Sequence, residues 1–332
     1  MNTFNPLVSI VIPIYNGQDF LHDAISSALK QRYKNIEVIV INDGSTDSSE
    51  KMAKNFGDKI LYFKKKNEGV ATALNLGIKK AKGKYISWLS HDDVYLPSKV
   101  EEQIKALNLL PLDLRQKTIC YSDYMFTDRK GNMLQEVKLR QIFKQNQLDD
   151  PLFPLFKQVI HGCSLLIPKK CFDEIEGFDE NLKHTQDYNL WFMMFPKYKL
   201  IHIPQILIKS RLHDLQSSKS SIDAIVEGDE LWTKMYKGIT DKQKEFIGGT
   251  LDEFYVSSFR HMLLAKHYRA AQYLTHCVKN KPSVTKTMGL ELKSHLQTEQ
   301  DGREFAVVKS SKFFKLWKMF CNLKDKIRTL LQ

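Results

Sequence analysis

Four carboxylates, Asp43, Asp92, Asp93 and Asp187, stand where a carboxylate can do chemistry rather than only face solvent. Asp43 lies in Asn42-Asp43-Gly44-Ser45-Thr46-Asp47, directly after the apolar run IEVIVI at 36–41. An ionised Asp only accepts hydrogen bonds, so it can take the N3–H of a uracil or thymine base. Gly44 lets the backbone come close to a ligand. Ser90-His91-Asp92-Asp93 follows another apolar run. Paired carboxylates at a strand end suit a hard divalent cation that also grips phosphate oxygens. Such a cation neutralises charge on a departing diphosphate. Asp187, in Thr185-Gln186-Asp187-Tyr188, opens a helix. There the helix dipole favours the ionised form, which suits a general base acting on a hydroxyl. Each group also has a plainer reading as a cap or a solvated turn, and singly none outweighs it.

Positioning these residues requires elements, and the first hundred residues supply them in alternation. LVSIVI at 7–12 reads as a buried strand ended by Pro13, and IEVIVI as a second. Residues 59–63 form a weaker third strand and 85–89 a fourth. Helical patterns run over 19–30, from the 45–46 cap through 54, and over 70–82, stopped by Gly83. That alternation predicts a parallel sheet covered on both faces, with ligands beyond the carboxyl ends of its strands. The polar clusters after residues 12, 41 and 89 would then meet in one crevice. Beyond them lie a helix over 98–110, strands near 118–124 and 164–167, and a helix over 186–195. From 222 to 300 the pattern is helical, and AKHYRAAQYLTHCVK at 265–279 resembles half of a helical hairpin. The polar stretch 297–303 reads as a linker. The chain divides into a domain over 1–220, a helical region over 221–300 and a basic tail over 301–332.

Composition narrows the class. The 332 residues, 42% hydrophobic and 27% charged, are those of a well-cored globular protein, and no apolar run nears the ~20 residues that span a bilayer. The run near the N-terminus lacks a basic leader, which argues against a secretory signal. Five scattered cysteines (Cys120, Cys163, Cys171, Cys277, Cys321) suit reduced thiols in the cytoplasm and have no zinc spacing. The net charge is +12, and six lysines and one arginine against one acid over 309–332 supply half of it. A nucleic-acid binder would interleave basic and aromatic residues across its fold, so no nucleic-acid partner is expected. In the tail, Phe313, Leu316, Trp317, Phe320, Leu323, Ile327 and Leu330 recur at helical spacing among lysines. That stripe suits an anionic membrane surface, as a peripheral anchor on the inner face of the cell membrane, or equally a core or homodimer contact.

In order along the chain stand Tyr15-Asn16, NDGSTD at 42–47, Asn67-Glu68-Gly69 with Ala73-Leu74-Asn75 and Gly77, SHDD at 90–93, and QDYNLW at 186–191. This set resembles the family-2 glycosyltransferases, whose GT-A fold is α/β and Rossmann-like, with a mostly parallel central sheet flanked by helices. Here a helical C-terminal extension follows. The resemblance spans about residues 8–216 and includes GCSLLIP at 162–168 and GFDE at 177–180. It implies a donor side of Pro13, Tyr15, Asn16, Asp43, Asn67, Ser90, His91, Asp92 and Arg211. Asp92 falls on the family's metal-binding aspartate, with His213 of Arg211-Leu212-His213 as a helper ligand. Asp93, Gly162 and Gln186 fall on the acceptor side, and Asp187 on the general base. The expected reaction is metal-assisted (Mn²⁺ or Mg²⁺) direct displacement with inversion. It would carry a hexosyl or N-acetylhexosaminyl group from a UDP- or dTDP-sugar to a hydroxyl of a glycan or lipid-linked acceptor in polysaccharide biosynthesis. One base without a second carboxylate nucleophile agrees with a single step.

The sequence departs from the family pattern twice: Ser90 replaces a usual Asp, with His91 as a substitute, and Gln186 replaces a usual Glu. The alternatives are a nucleotidyltransferase-like enzyme and a non-catalytic nucleotide-binding or basic-surface protein. A nucleotidyltransferase needs a Gly-rich basic loop, where this chain has Pro13-Ile14-Tyr15-Asn16-Gly17.

Overall fold

All seven residues of β1 (Val8–Ile14), VSIVIPI, are buried. A strand buried on both faces belongs in the middle of a parallel sheet. The computed structural model, which describes residues 4–213, 222–278 and 282–310, places it there. After β1 come α1 (Leu21–Leu29), β2 (Ile36–Asp43), α2 (Ser49–Lys54), β3 (Leu61–Lys65), α3 (Val70–Lys80) and β4 (Tyr85–Trp88). Then follow β5 (Val94–Tyr95), α4 (Lys99–Asn108), β6 (Thr118–Thr127), β7 (Met133–Val137), β8 (Ile167–Pro168), α5 (Gln186–Met194) and β9 (Lys199–Arg211). The first sheet has the order β3-β2-β1-β4-β8, with only β8 antiparallel to its neighbour. The carboxyl ends of β1, β2 and β4 therefore lie along one edge.

Pro13 does not end the first strand. β1 pairs with β2 from Val8↔Ile36 through Pro13↔Ile41 to Ile14↔Asn42, whereas its pairing with β4 stops at Val11↔Trp88. Proline is tolerated where one ladder has already ended, and there the Pro13 carbonyl accepts a hydrogen bond from the His91 ring. Helix α3 lies against β1 and β2 through Ala71, Leu74, Gly77 and Ile78. Gly77 is required by that approach, since a Cβ there would stand 2.3 Å from Val11 Cγ1.

The second sheet has the order β5-β9-β6-β7, and β6 and β9 run parallel. Only part of β6 is visible in the sequence pattern; β9, thirteen residues long, contains Pro204. Its register with β6 jumps from Ser122↔Ile203 to Asp123↔Ile206, so Pro204 and Gln205 lie in a bulge that spares the ladder. Of the strand expected near 164–167 only its end is one, β8 at Ile167–Pro168, and residues 162–164 before it form a single 3₁₀ turn.

Lys99 shows how tightly the floor under β4 is built. It is fully buried, and its Nζ donates to Ser87 Oγ and to the Leu165 carbonyl at 3.1 Å, 4.3 Å from the Tyr95 ring centroid. Burial pulls Lys99 down to about 7 from its ordinary 10.5. Between those values the unfolded chain binds more protons than the folded one, so Lys99 makes stability rise with pH, by at most about 1.4 kcal/mol per unit. Urea unfolding from pH 7 to 10 is expected to show that rise in the wild type and a flatter dependence in Lys99→Met. Equal slopes would remove Lys99 as its source.

The chain forms two compact units, Met1–Ile247 and Gly248–Gln332. Helices α6 (Ile222–Gly238) and α7 (Asp241–Gly248) complete the first, and Trp232 and Tyr236 of α6 pack on Phe156 at 6.2 and 5.7 Å. The second holds α8 (Leu251–Leu264), α9 (Tyr268–Cys277) and α10 (Pro282–Ser310). Thr250 and Glu253 form a capping box that starts α8. A three-residue turn with Lys266 at φ 64° joins α8 to α9, as the hairpin pattern predicts. The polar stretch 297–303 is not a linker, because α10 runs through it. Most of the basic stripe, from residue 311 on, lies outside the described residues. No described helix is long and apolar enough to cross a membrane.

Candidate active site

The strand-end loops lock onto one another. Asn16 takes a left-handed backbone at φ 50°, which asparagine tolerates better than most residues. Its side-chain oxygen accepts from the Thr46 N–H (2.9 Å), and its own N–H donates to Ser45 Oγ (3.0 Å). Asn16 thus joins the β1 and β2 loops, and Tyr15 beside it is 46% exposed. Asp43 is buried at the end of β2 and accepts from Lys65 Nζ (2.8 Å), the Glu68 N–H (3.1 Å) and the Gly69 N–H (2.8 Å). Three bonds leave its carboxylate room for one more donor. Asn67 lies in the loop these bonds hold, over Gly44, whose φ of 75° and 2.7 Å clearance to the Asn67 nitrogen exclude a side chain.

The loop after β4 meets the end of β9. His213 Nε2 stands 3.0 Å from Asp92 Oδ2, with side-chain exposures of 4% and 13%. Phe20 supports this end of β9, its ring 4.7 Å from that of His213 and 4.6 Å from the Arg211 guanidinium. Arg211 is buried, donates to Asp23 Oδ2 (3.0 Å), and gives its backbone N–H to Asp93 Oδ1 (3.0 Å). His91 turns toward β1: it bonds the Pro13 carbonyl and packs on Gly17, where a Cβ would meet its ring at 2.5 Å. Burial lowers the His91 pKa, outweighing the Asp92 charge, which raises it. The imidazole facing Asp92 is therefore His213.

Asp93 points inward. Its Oδ2 accepts from Cys163 Sγ at 3.3 Å and lies 3.7 Å from His161 Nε2. Burial, followed by the neighbouring Asp92 charge, pushes Asp93 well above the usual carboxylate range. Ser90 is tied to the same place, its N–H 3.3 Å from Cys163 Sγ. Gly162 is needed for close approach, since a Cβ would stand 2.6 Å from Trp88 Cζ2.

Asp187 lies at the start of α5, with Oδ1 2.8 Å from the Tyr188 N–H. Burial pushes Asp187 up to about 6, against the lowering by its backbone hydrogen bonds and with a smaller contribution from the Glu227 charge. The helix start alone implies the opposite shift, and desolvation wins. Gln186 sits beside it, half-buried, its Oε1 without a hydrogen-bond partner among the described residues. The α5 cluster reaches the Asp92 cluster through packing: Trp191 stacks on Trp88 at 6.0 Å, and Trp88 lies against Gly162.

Two bridging roles are invisible in sequence, one of them that of Asn75, which the sequence pattern includes without showing what it holds. Asn75 clamps the segment before α5: its Oδ1 accepts from the Phe178 N–H, and its Nδ2 donates to the Phe178 carbonyl and Glu180, all at 2.9 Å. Glu227 receives hydrogen bonds from residues 183–185. These partners lie more than forty residues away, so no local signal marks them.

The Asp92–His213 pair fits a divalent ion, because a carboxylate with an imidazole is a donor set that Mn²⁺ accepts. Ligand atoms of Asp93, His161 and Cys163 also lie within 4.8 Å of one another. A thiol in that set favours a softer ion, and two of its members already bond each other.

Residues 9–174 match the model of glycosyl transferase family 2. A Rickettsia typhi protein described as an uncharacterized glycosyltransferase is 47% identical over 253 residues, 76% of this chain and 79% of that one. Bacillus subtilis GgaB, a minor teichoic acid biosynthesis protein, is 32% identical over 208 residues, 60% of this chain and 22% of its own. S. aureus TarS, solved in complex with UDP-GlcNAc, shares the fold at TM-score 0.64 and 12% identity, over 89% of this chain and 92% of that one. With a family match across half its length and a relative 47% identical over three quarters of both chains, the chain belongs to glycosyl transferase family 2 and is a glycosyltransferase of the GT-A fold.

Proposed function

We propose that this glycosyltransferase inverts the anomeric centre of a UDP-linked hexose or N-acetylhexosamine, dTDP being the alternative nucleotide, and delivers the sugar to a hydroxyl of a surface glycan or lipid-linked polymer. The observation that carries the proposal is Asp187: one half-buried carboxylate, pushed up by desolvation to about 6 and held at a helix start. A base poised near neutral pH takes a proton efficiently. Asp187 accepts the hydroxyl proton as the acceptor oxygen bonds the anomeric carbon and the bond from that carbon to the diphosphate oxygen breaks. Asp43 would accept from the base N3–H with its remaining acceptor capacity, and exposed Tyr15 would lie against the base. Asp92 and His213 would hold Mn²⁺ or Mg²⁺, whose charge would stabilise the departing diphosphate.

The UDP-GlcNAc of the TarS complex supports a UDP-linked donor, and the teichoic acid assignment of GgaB supports a cell-envelope polymer as acceptor. Buried thiols at Cys120, Cys163 and Cys171 agree with a reaction on the cytoplasmic side.

Thermal melting with UDP and Mn²⁺ tests this reading. Stabilisation is expected only with both present, of about 2.7 kcal/mol when ligand reaches a hundredfold of its Kd. No shift with any nucleoside diphosphate would overturn the proposal.

A further inference from the structure

Glu227, on α6, accepts four hydrogen bonds from three consecutive residues. Its Oε2 takes the Lys183 N–H (3.0 Å), and its Oε1 takes the His184 N–H (2.8 Å), the Thr185 N–H (2.6 Å) and Thr185 Oγ1 (2.8 Å). Those residues are the turn that enters α5, and Asp187 follows Thr185 by two positions. Thr185 stands at the N-cap of α5 yet makes no side-chain cap bond; its hydroxyl goes to Glu227 instead. One carboxylate on a separate helix thus sets where α5 begins. Burial raises Glu227, but the bonds from Lys183, Thr185 and His184 outweigh it and hold the group below the usual range, hence ionised.

We infer that Glu227 is the positioning residue for Asp187: it fixes the 183–185 turn and thereby the place and the electrostatic setting of the base. This rests on the reading of Asp187 as the base. A carboxylate is suited to the task because it accepts at both oxygens, whereas the isosteric amide of Gln accepts at only one. A displacement of the base by about 1 Å can cost on the order of 10²-fold in rate. Besides Glu227, the titratable groups around Asp187 are Tyr188 beside it, Lys183 and His184 on the turn, and Tyr124 of β6, whose charge bears on Tyr188.

The test is a double-mutant cycle on the full chain, with turnover measured against pH for wild type, Glu227→Gln, Asp187→Asn and the double variant. Glu227→Gln is expected to lower kcat by about tenfold or more with donor KM within about twofold. It should also move the acid limb of the profile to lower pH, because the Glu227 charge no longer raises Asp187. In the Asp187→Asn background the same change should cost little, since a residue acting through another shows no effect once the other is gone. Equal losses in both backgrounds, or a Glu227→Gln enzyme with wild-type kcat and pH profile, would overturn the inference while leaving the base reading intact. Full turnover by Asp187→Asn would instead sink the base reading, and this inference with it. If Glu227→Gln does not fold, Thr185→Val removes one of the four bonds but keeps the Glu227 charge, and is expected to lower kcat by a smaller factor with the acid limb unmoved. An unchanged kcat there counts against Glu227.

Discussion

Asp187→Asn is expected to lower turnover on the order of 10³-fold while leaving the protein at least as stable as the wild type. The two halves of that expectation have one cause. Burial raises the Asp187 carboxyl to about 6 because the folded state disfavours its charge. A group whose folded pKa is raised contributes stability that is full below its unfolded pKa and is lost as pH rises through the folded value. Above pH 6 the ionised carboxylate is therefore a destabilising element, retained at a cost. Asn has the same shape, keeps an acceptor for the Tyr188 N–H, and carries no charge to desolvate. The variant should melt at or above the wild-type temperature at pH 7.5, with donor KM little changed, because the proposed role of Asp187 is toward the acceptor proton and not the donor. In the wild type, kcat should climb through about pH 6 and level off above it. A variant keeping more than about a tenth of wild-type turnover would exclude Asp187 as the base.

The half of the site built on the first sheet was legible because its signals are local. VSIVIP and IEVIVI announce buried strands, and the NDGSTD and SHDD clusters directly follow theirs, so topology alone brings them to one edge. The remainder depends on contacts that no local pattern encodes. β9 hides behind Pro204, which argues against a strand until the bulge at Ile203↔Ser122 is seen. With β9 unread, the approach of His213 to Asp92 rested only on family resemblance. The Lys65 partner of Asp43 comes from the neighbouring strand, and the Asn75 clamp on residues 178–180 and the Glu227 clamp on 183–185 are side chains satisfying backbone groups of another segment. Electrostatics also defeated the local rule at Asp187, where the helix-start argument gives the sign of the dipole effect but not the larger desolvation opposing it.

Removing Asp92 tests the other half of the site, and the pairing with His213 fixes the order of effects. Asp92→Asn keeps the shape and the hydrogen bond to His213 but loses the charge that a hard cation requires. The departing diphosphate would then be left without several kcal/mol of charge stabilisation, on the order of 10²-fold or more in turnover. The UDP-dependent melting shift should lose its requirement for Mn²⁺ in the same variant. His213→Gln removes the proposed second ligand, whose ring packs on that of Phe20 at 4.7 Å. Its loss should be milder, about 10- to 100-fold in Mn²⁺ affinity, and partly recovered at high Mn²⁺. If Asp92→Asn kept both its turnover and its response to Mn²⁺, the cation would have to sit elsewhere. The inward cluster of Asp93, His161 and Cys163 would then be its only alternative among the described residues.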